Sequence, residues 1–474
     1  MSTVSTLDPL MTRPETATGL PVPRRSDLWR AIALGLFSCL VYLAMPQPAH
    51  PNAGDNLWYV PTAMSLVHHG DLDLSEFAGE LRASDPADVW IDCLDADPRL
   101  LKLAGRPAGR GWVSHYPIGP ALFSVPVVVV SDWALGRPRT PLARARQLAI
   151  VAAATSAALA VALMFCLIAR LVEERWLLWT VTLFYAFASP HFSTHHSELW
   201  SHNVLQVFML MALLFLVAAR GRVAWLGALP LAGAFLTRPD AMLFVLAYAA
   251  VVLTMPGQRL AFLSVLGLAL GGFMLWSHSL FGTYLPPYYH TLQTTGLTLH
   301  PSALLGTLVS PNRGVFVFTP VLVLCVPGAL VAVSHRKSLH PIYALSAVVT
   351  VAYWIMFGTL PWWGGGFSVG PRYFTLVLPL MTVLLVPGLR WVAGLRGWAR
   401  PVVRGLVAGA MVWSLFVQVR ICVSSGPHEW NYEPNVDVHP EQLWNWSDLQ
   451  ILRRPRAQPL PDLPRVANCS TTGN

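Results

Sequence analysis

Between Trp133 and His428 the chain carries only four acidic residues, Glu173, Glu174, Glu198 and Asp240, among apolar runs long enough to cross a bilayer. A run of about 20 apolar residues spans the hydrocarbon as a helix, because only a helix or a closed barrel satisfies its own backbone there. The chain is 54% hydrophobic and 12% charged, whereas soluble domains carry about 25% charged residues. The sequence therefore reads as an all-α polytopic membrane protein.

Expected spans lie at about 29–46, 144–169, 176–190, 203–219, 223–237, 240–256, 259–280, 315–334, 341–360, 373–390 and 403–420. Residues 1–27, polar and Pro-rich, read as a disordered cytoplasmic tail. The run from Leu28 reads as an uncleaved anchor. Residues 47–116 hold ten of the 24 acidic residues against five basic ones, which suits an extracytoplasmic loop carrying interfacial helices. The stretch Tyr116–Leu135 decides the topology. If it spans, four later basic loops (220–222, 258–259, 335–337 and 390–404) face outward. If it lies in the interface, all four face inward, as positive residues prefer. The second arrangement is expected, with the first outer loop at 47–143, Pro117, Pro120 and Pro126 disfavouring a straight helix, and the tail 421–474 outside.

The net charge of +8 is explained by this topology, so nucleic-acid binding is not expected. Cys39, Cys166 and Cys325 fall in apolar runs as packing residues. Cys93, Cys422 and Cys469 fall in segments placed outside, and a disulfide among them is left open.

The chemistry-bearing residues collect at the outer ends. Asp55 follows the first span, beside Trp58 and Tyr59, either as a helix N-cap or as a functional carboxylate. Glu198 sits in His191-Phe-Ser-Thr-His-His-Ser-Glu-Leu-Trp-Ser-His202, where a carboxylate among histidines at a membrane boundary is expensive to keep. Glu198 and His202, four residues apart, share a helix face and suit a hydrogen bond, a general base or a divalent metal. From Trp176 to Val419 the only arginines placed outside are Arg238, Arg313 and Arg372. Each suits a phosphate group through its planar fork, or pairing with Asp240 or lipid headgroups. Trp362 and Trp363 are either interface-belt aromatics or a stacking surface for a sugar or lipid chain. The run Gly364-Gly-Gly366 lacks the flanking strand and Lys-Ser/Thr of a nucleotide loop, so no nucleotide cofactor is expected.

The ordered set Ala53-Gly-Asp-Asn-Leu-Trp-Tyr59, Gly70-Asp-Leu-Asp-Leu74, Tyr116-Pro-Ile-Gly-Pro120, Leu236-Thr-Arg-Pro-Asp240, Ser310-Pro-Asn-Arg-Gly314 and Trp362-Trp-Gly-Gly-Gly-Phe-Ser-Val-Gly-Pro-Arg-Tyr373 resembles bacterial integral-membrane glycosyltransferases of the GT-C class. The branch is the one related to protein O-mannosyltransferases and the lipid A aminoarabinose transferase, and the likeness covers about 50–430. The resemblance implies a GT-C-like bundle of about 11 transmembrane helices in a bacterial cytoplasmic membrane. It implies a polyprenyl-phosphate-linked sugar as donor, an outer-face active site and a glycan, lipid or protein acceptor. Asp55 matches the family's catalytic Asp. Glu198 stands at the place of its second acid, which helps hold a metal or the acceptor. The family's Lys-Pro-Pro-type segment is here Tyr116-Pro-Ile-Gly-Pro120, without the lysine.

From these matches Asp55 is expected to be the general base of an inverting transfer. Arg238, Arg313 and Arg372, with His115 and Tyr116, would receive the donor phosphate and lipid. His196, His202, Trp362 and Trp363 would meet acceptor or sugar, and any divalent metal would use Asp55, Glu198 and His202. The competing functions are a lipid or sugar transporter, for which charges should sit near the midplane, and a non-catalytic envelope-assembly factor.

Overall fold

The computed structural model describes residues 24–46, 56–74, 77, 113–114, 116–137, 141–196, 198–294, 298–336, 339–432 and 434–456. Among these the protein is all-α, with no strand and one isolated bridge, Tyr432 to Asn435. Six helices are long and apolar enough to cross a bilayer: Arg25–Ala44, Pro141–Leu171, Arg259–Phe281, Pro341–Gly358, Arg372–Gly394 and Ala399–Val423. Shorter apolar helices occupy Gly119–Leu135, Ser201–Val217, Ala224–Thr237, Pro239–Leu253 and Pro320–Ser334. The expected segment 176–190 becomes a 13-residue helix, Arg175–Phe187. At 1.5 Å per residue it is about 20 Å long, short of the ~30 Å hydrocarbon.

Gly119–Leu135, whose prolines read against a straight span, is one continuous helix. Pro120 lies in the first turn, where its missing N–H has no intrahelical partner to lose. Pro126 lies inside, and the helix tolerates it. The Pro141–Leu171 helix has 31 residues, about 46 Å at the helical rise. It exceeds the hydrocarbon, so Arg144 and Arg146 in its first turns can stand beyond the apolar layer.

Lipid offers no hydrophobic drive between helices, so close packing relies on small residues. Gly35 lets Arg25–Ala44 approach Pro141–Leu171, where an added Cβ would lie 3.1 Å from the Ala162 methyl. A tighter crossing joins Pro320–Ser334 to Leu378–Gly394. A Cβ on Gly328 would strike the Leu384 carbonyl, and one on Gly388 would strike the Leu324 carbonyl. The two glycines thus face each other's backbones reciprocally. By contrast, Leu260 and Leu268 on Arg259–Phe281 are 80% and 77% exposed, as a lipid-facing helix requires.

Ion pairs tie one set of helix ends. Asp27 accepts from Arg175 at 2.6 Å and Arg30 at 3.0 Å, and Arg390 meets Glu174 at 3.0 Å. At the other end the segment 424–456 folds back over the loops 310–314 and 362–372. Ser310 donates to the Leu443 carbonyl at 2.5 Å, and Asn312 Nδ2 to the Gln442 carbonyl at 2.8 Å. The first part of the C-terminal segment, up to residue 456, is therefore a docked cap.

Candidate anion site at the convergence of three arginines

The three arginines expected on the outer side come from loops far apart in sequence. The fold brings all of them within electrostatic reach of one side chain, Tyr373. They are held differently, and the differences assign their chemistry.

Arg313 is 2% exposed and has every N–H engaged. Nε donates to the Gly364 carbonyl at 2.5 Å. One terminal nitrogen donates to the Asn312 carbonyl at 2.7 Å and Gln450 Oε1 at 2.6 Å. The other donates to the Gly366 carbonyl at 3.1 Å and Asn431 Oδ1 at 2.8 Å. The loop can offer its carbonyls because Gly365 and Gly366 adopt φ of 72° and 64°, a region open to glycine at no steric cost. Burial lowers the Arg313 pKa to about 9, partly opposed by the nearby Asp437 charge, so the group stays protonated at neutral pH. Five donors with five acceptors leave none for a ligand. In this arrangement Arg313 fastens the cap to the loops rather than offering a free phosphate contact.

Arg238 makes a two-pronged pair with Asp240, Nε to Oδ1 at 3.0 Å and a terminal nitrogen to Oδ2 at 2.8 Å. The other terminal nitrogen donates to Ser201 Oγ at 3.0 Å. Of its expected settings, pairing with Asp240 is the one present.

Arg372 is the uncompensated cation. Its guanidinium lies over the Trp200 ring, 4.0 Å from the centroid. Its Nε is buried without a hydrogen-bond partner, and it forms no ion pair among the described residues. Buried polar groups are normally satisfied, so this donor points to something that joins the site.

The histidine knot divides into three settings. His191 lies between Gln206 Oε1 at 2.9 Å and the Ala157 carbonyl at 3.1 Å, and His195 Nδ1 lies 3.2 Å from His191 Nδ1. Burial lowers the His191 pKa to about 4 and holds His195 well below its usual value, with the neighbouring histidines adding to the effect. His196 points elsewhere, toward the Ser193 carbonyl at 3.2 Å and Cys422 Sγ at 3.7 Å. His202 belongs with the arginines: it is 1% exposed, its Nδ1 has no partner, and Arg238 and Arg372 are both within electrostatic reach. Glu198 is half-buried at the start of this segment, its carbonyl accepting from Asn203 Nδ2 at 3.3 Å.

The two tryptophans separate. Trp363 is 7% exposed and packs against Trp444, ring centroids 5.9 Å apart, inside the cap. Trp362 is 70% exposed and alone of the pair presents a ring to the surroundings. Tyr116 stacks obliquely on Tyr288 at 5.7 Å and lines a narrow cleft with Tyr59, Thr62, Ile118, Trp276 and Phe281. Gly119, between the lining residues Ile118 and Ala121 of this largely apolar cleft, abuts Thr237, the residue before Arg238. Asp55 and His115 lie outside the described residues. Among the described residues no three His, Cys, Asp or Glu side chains converge as metal ligands.

Sequence reasoning missed Trp200, the floor beneath Arg372, and Asn431 and Gln450, the acceptors that hold Arg313. Asp437 also escaped notice. Its carboxyl lies beside Gly366, and burial raises its pKa while the Arg313 charge pulls it down.

Comparison with known proteins gives no match to a family model, to a curated protein or to a solved structure.

Proposed function

We propose that this protein is a membrane glycosyltransferase of the GT-C kind, transferring a sugar from a polyprenyl phosphate to an acceptor hydroxyl with inversion. The reading places about 11 spans in a bacterial cytoplasmic membrane, the N-terminus inside and the site on the extracytoplasmic face. The observation that carries it is Arg372, a cation on an aromatic floor with a buried unpartnered donor, beside Arg238. A phosphate beside an apolar chain is the ligand chemistry that suits such a cation together with an apolar cleft.

In the proposed reaction Asp55 takes the acceptor proton as the acceptor oxygen bonds to the anomeric carbon. The bond from that carbon to the phosphate oxygen breaks, and its electron pair leaves on the polyprenyl phosphate. Arg372 and Arg238 stabilise that charge. Arg313 acts at one remove, holding the 362–372 loop. Glu198 and the exposed Trp362 face acceptor or sugar. The donor lipid lies along the cleft of Tyr59, Tyr116 and Trp276. Two guanidiniums near His202 would repel a divalent ion, so the residues there do not fit a metal, and no step is routed through one. The acceptor is a glycan, lipid or protein hydroxyl, and nothing calls for a nucleotide cofactor.

The test is a proteoliposome assay with polyprenyl-phosphate sugars and an envelope extract as acceptor. Release of polyprenyl phosphate with transfer of sugar is expected. Movement of intact lipid or sugar across the bilayer without transfer would instead establish the transporter reading. Binding without either would indicate the assembly factor.

A further inference from the structure

Three observations meet at the start of the helix Ser201–Val217. Its N-terminus has no side-chain cap, and of its first N–H groups that of Asn203 bonds the Trp200 carbonyl at 3.1 Å; a helix end of this kind favours anions. Arg372 rests on Trp200 at the N-cap position, and Arg238 reaches Ser201 in the first turn. His202, in the same turn, is 1% exposed, and its Nδ1 has no partner. The Trp200 and His202 rings lie 6.4 Å apart, edge to face.

The helix end, two guanidiniums and one imidazole all favour negative charge. The same guanidiniums oppose a metal ion on the imidazole. A neutral imidazole still has one N–H to give, and a phosphoryl oxygen is the acceptor that all these groups can share.

We propose that Trp200, His202 and Arg372 form a phosphoryl seat in which His202 donates a hydrogen bond through Nδ1 instead of holding a metal. The proposal deepens the transferase reading and rests on it for one point only, that the phosphoryl group belongs to the donor lipid. Trp200 supports one side of the Arg372 guanidinium, so the ligand meets it from elsewhere.

The experiment uses the full chain in nanodiscs and measures binding of polyprenyl phosphate, inorganic phosphate, polyprenol and Mn2+. Wild type should bind both phosphates and not bind polyprenol comparably. His202→Phe should weaken phosphate binding roughly ten- to hundred-fold, the range for a hydrogen bond to a charged group. His202→Gln, which keeps an N–H, should recover part of that loss and controls for folding. Sensitivity to His202 with polyprenyl phosphate assigns the seat to a lipid headgroup; the same sensitivity with inorganic phosphate alone assigns it to free phosphate. Unchanged phosphate affinity in His202→Phe, or Mn2+ binding that this variant abolishes, would overturn the proposal. The two readings fail separately. His202-dependent phosphate binding without transfer sinks the transferase alone, whereas transfer by His202→Phe at wild-type kcat and KM sinks the seat alone.

Discussion

The Arg372 guanidinium carbon lies 4.0 Å from the Trp200 ring centroid, with no carboxylate paired to it among the described residues. A pair of this kind contributes roughly 0.5–2 kcal/mol, which holds the side chain in place without neutralising it. Arg372→Gln should therefore fold normally and lose at least ten-fold in transfer. Arg372→Lys should recover little, because the fork and the ring contact are lost with the guanidinium. Steady-state transfer rates at matched protein level check this; a Lys variant equal to wild type would argue for a simple point charge.

Arg313 predicts a different defect. Arg313→Met would take this donor from the Gly364, Gly366 and Asn312 carbonyls, whereas Gln450 Oε1 keeps the Gly370 N–H and Asn431 Oδ1 keeps Gln450 Nε2. Each orphaned buried acceptor costs about 1–3 kcal/mol. The expected result is release of 424–456, seen as proteolysis within that segment and a lower Tm, whereas Arg372→Gln should show neither.

The buried histidines set a pH response. His191 and His428 each have the pKa lowered by burial from 6.5 to about 4. The unfolded imidazoles take a proton near 6.5 and the folded ones only near 4. Stability is thus fully present above 6.5, falls as pH drops through that window, and this contribution is gone by about 4. The loss is on the order of 3 kcal/mol for His191 alone. Thermal unfolding between pH 7.5 and 4 should show it, with a shallower slope in His191→Gln.

The reciprocal crossing of Gly328 and Gly388 admits no side chain. Gly328→Leu must push the helices apart or strain the Leu384 backbone, at a cost of roughly 1–3 kcal/mol or more. Gly267→Leu, whose added Cβ meets nothing within 4 Å, is the control and should leave Tm unchanged.

The helices were legible because apolar length is a local property of the chain. The three arginines expected outside stood out for a related reason. Arg238, Arg313 and Arg372 break the charge pattern of their loops, and the fold brings them together near Tyr373. Their separate roles were not legible. Arg313 is held by Asn431 and Gln450, 118 and 137 residues away, and no periodicity links such positions. Nor does adjacency reveal that Trp362 faces outward while Trp363 packs inside the cap. Pro126, which reads against a straight span, lies inside a continuous helix.

The transferase account stands or falls most directly on Asp55. Envelope glycans and lipid-linked sugars should be compared by mass spectrometry in wild type, a deletion, and the deletion complemented with Asp55→Asn at normal protein level. The account predicts one sugar missing from the deletion and not restored by Asp55→Asn. Full restoration by that variant would contradict it, leaving Asp55 no more than a helix cap and the site without its base.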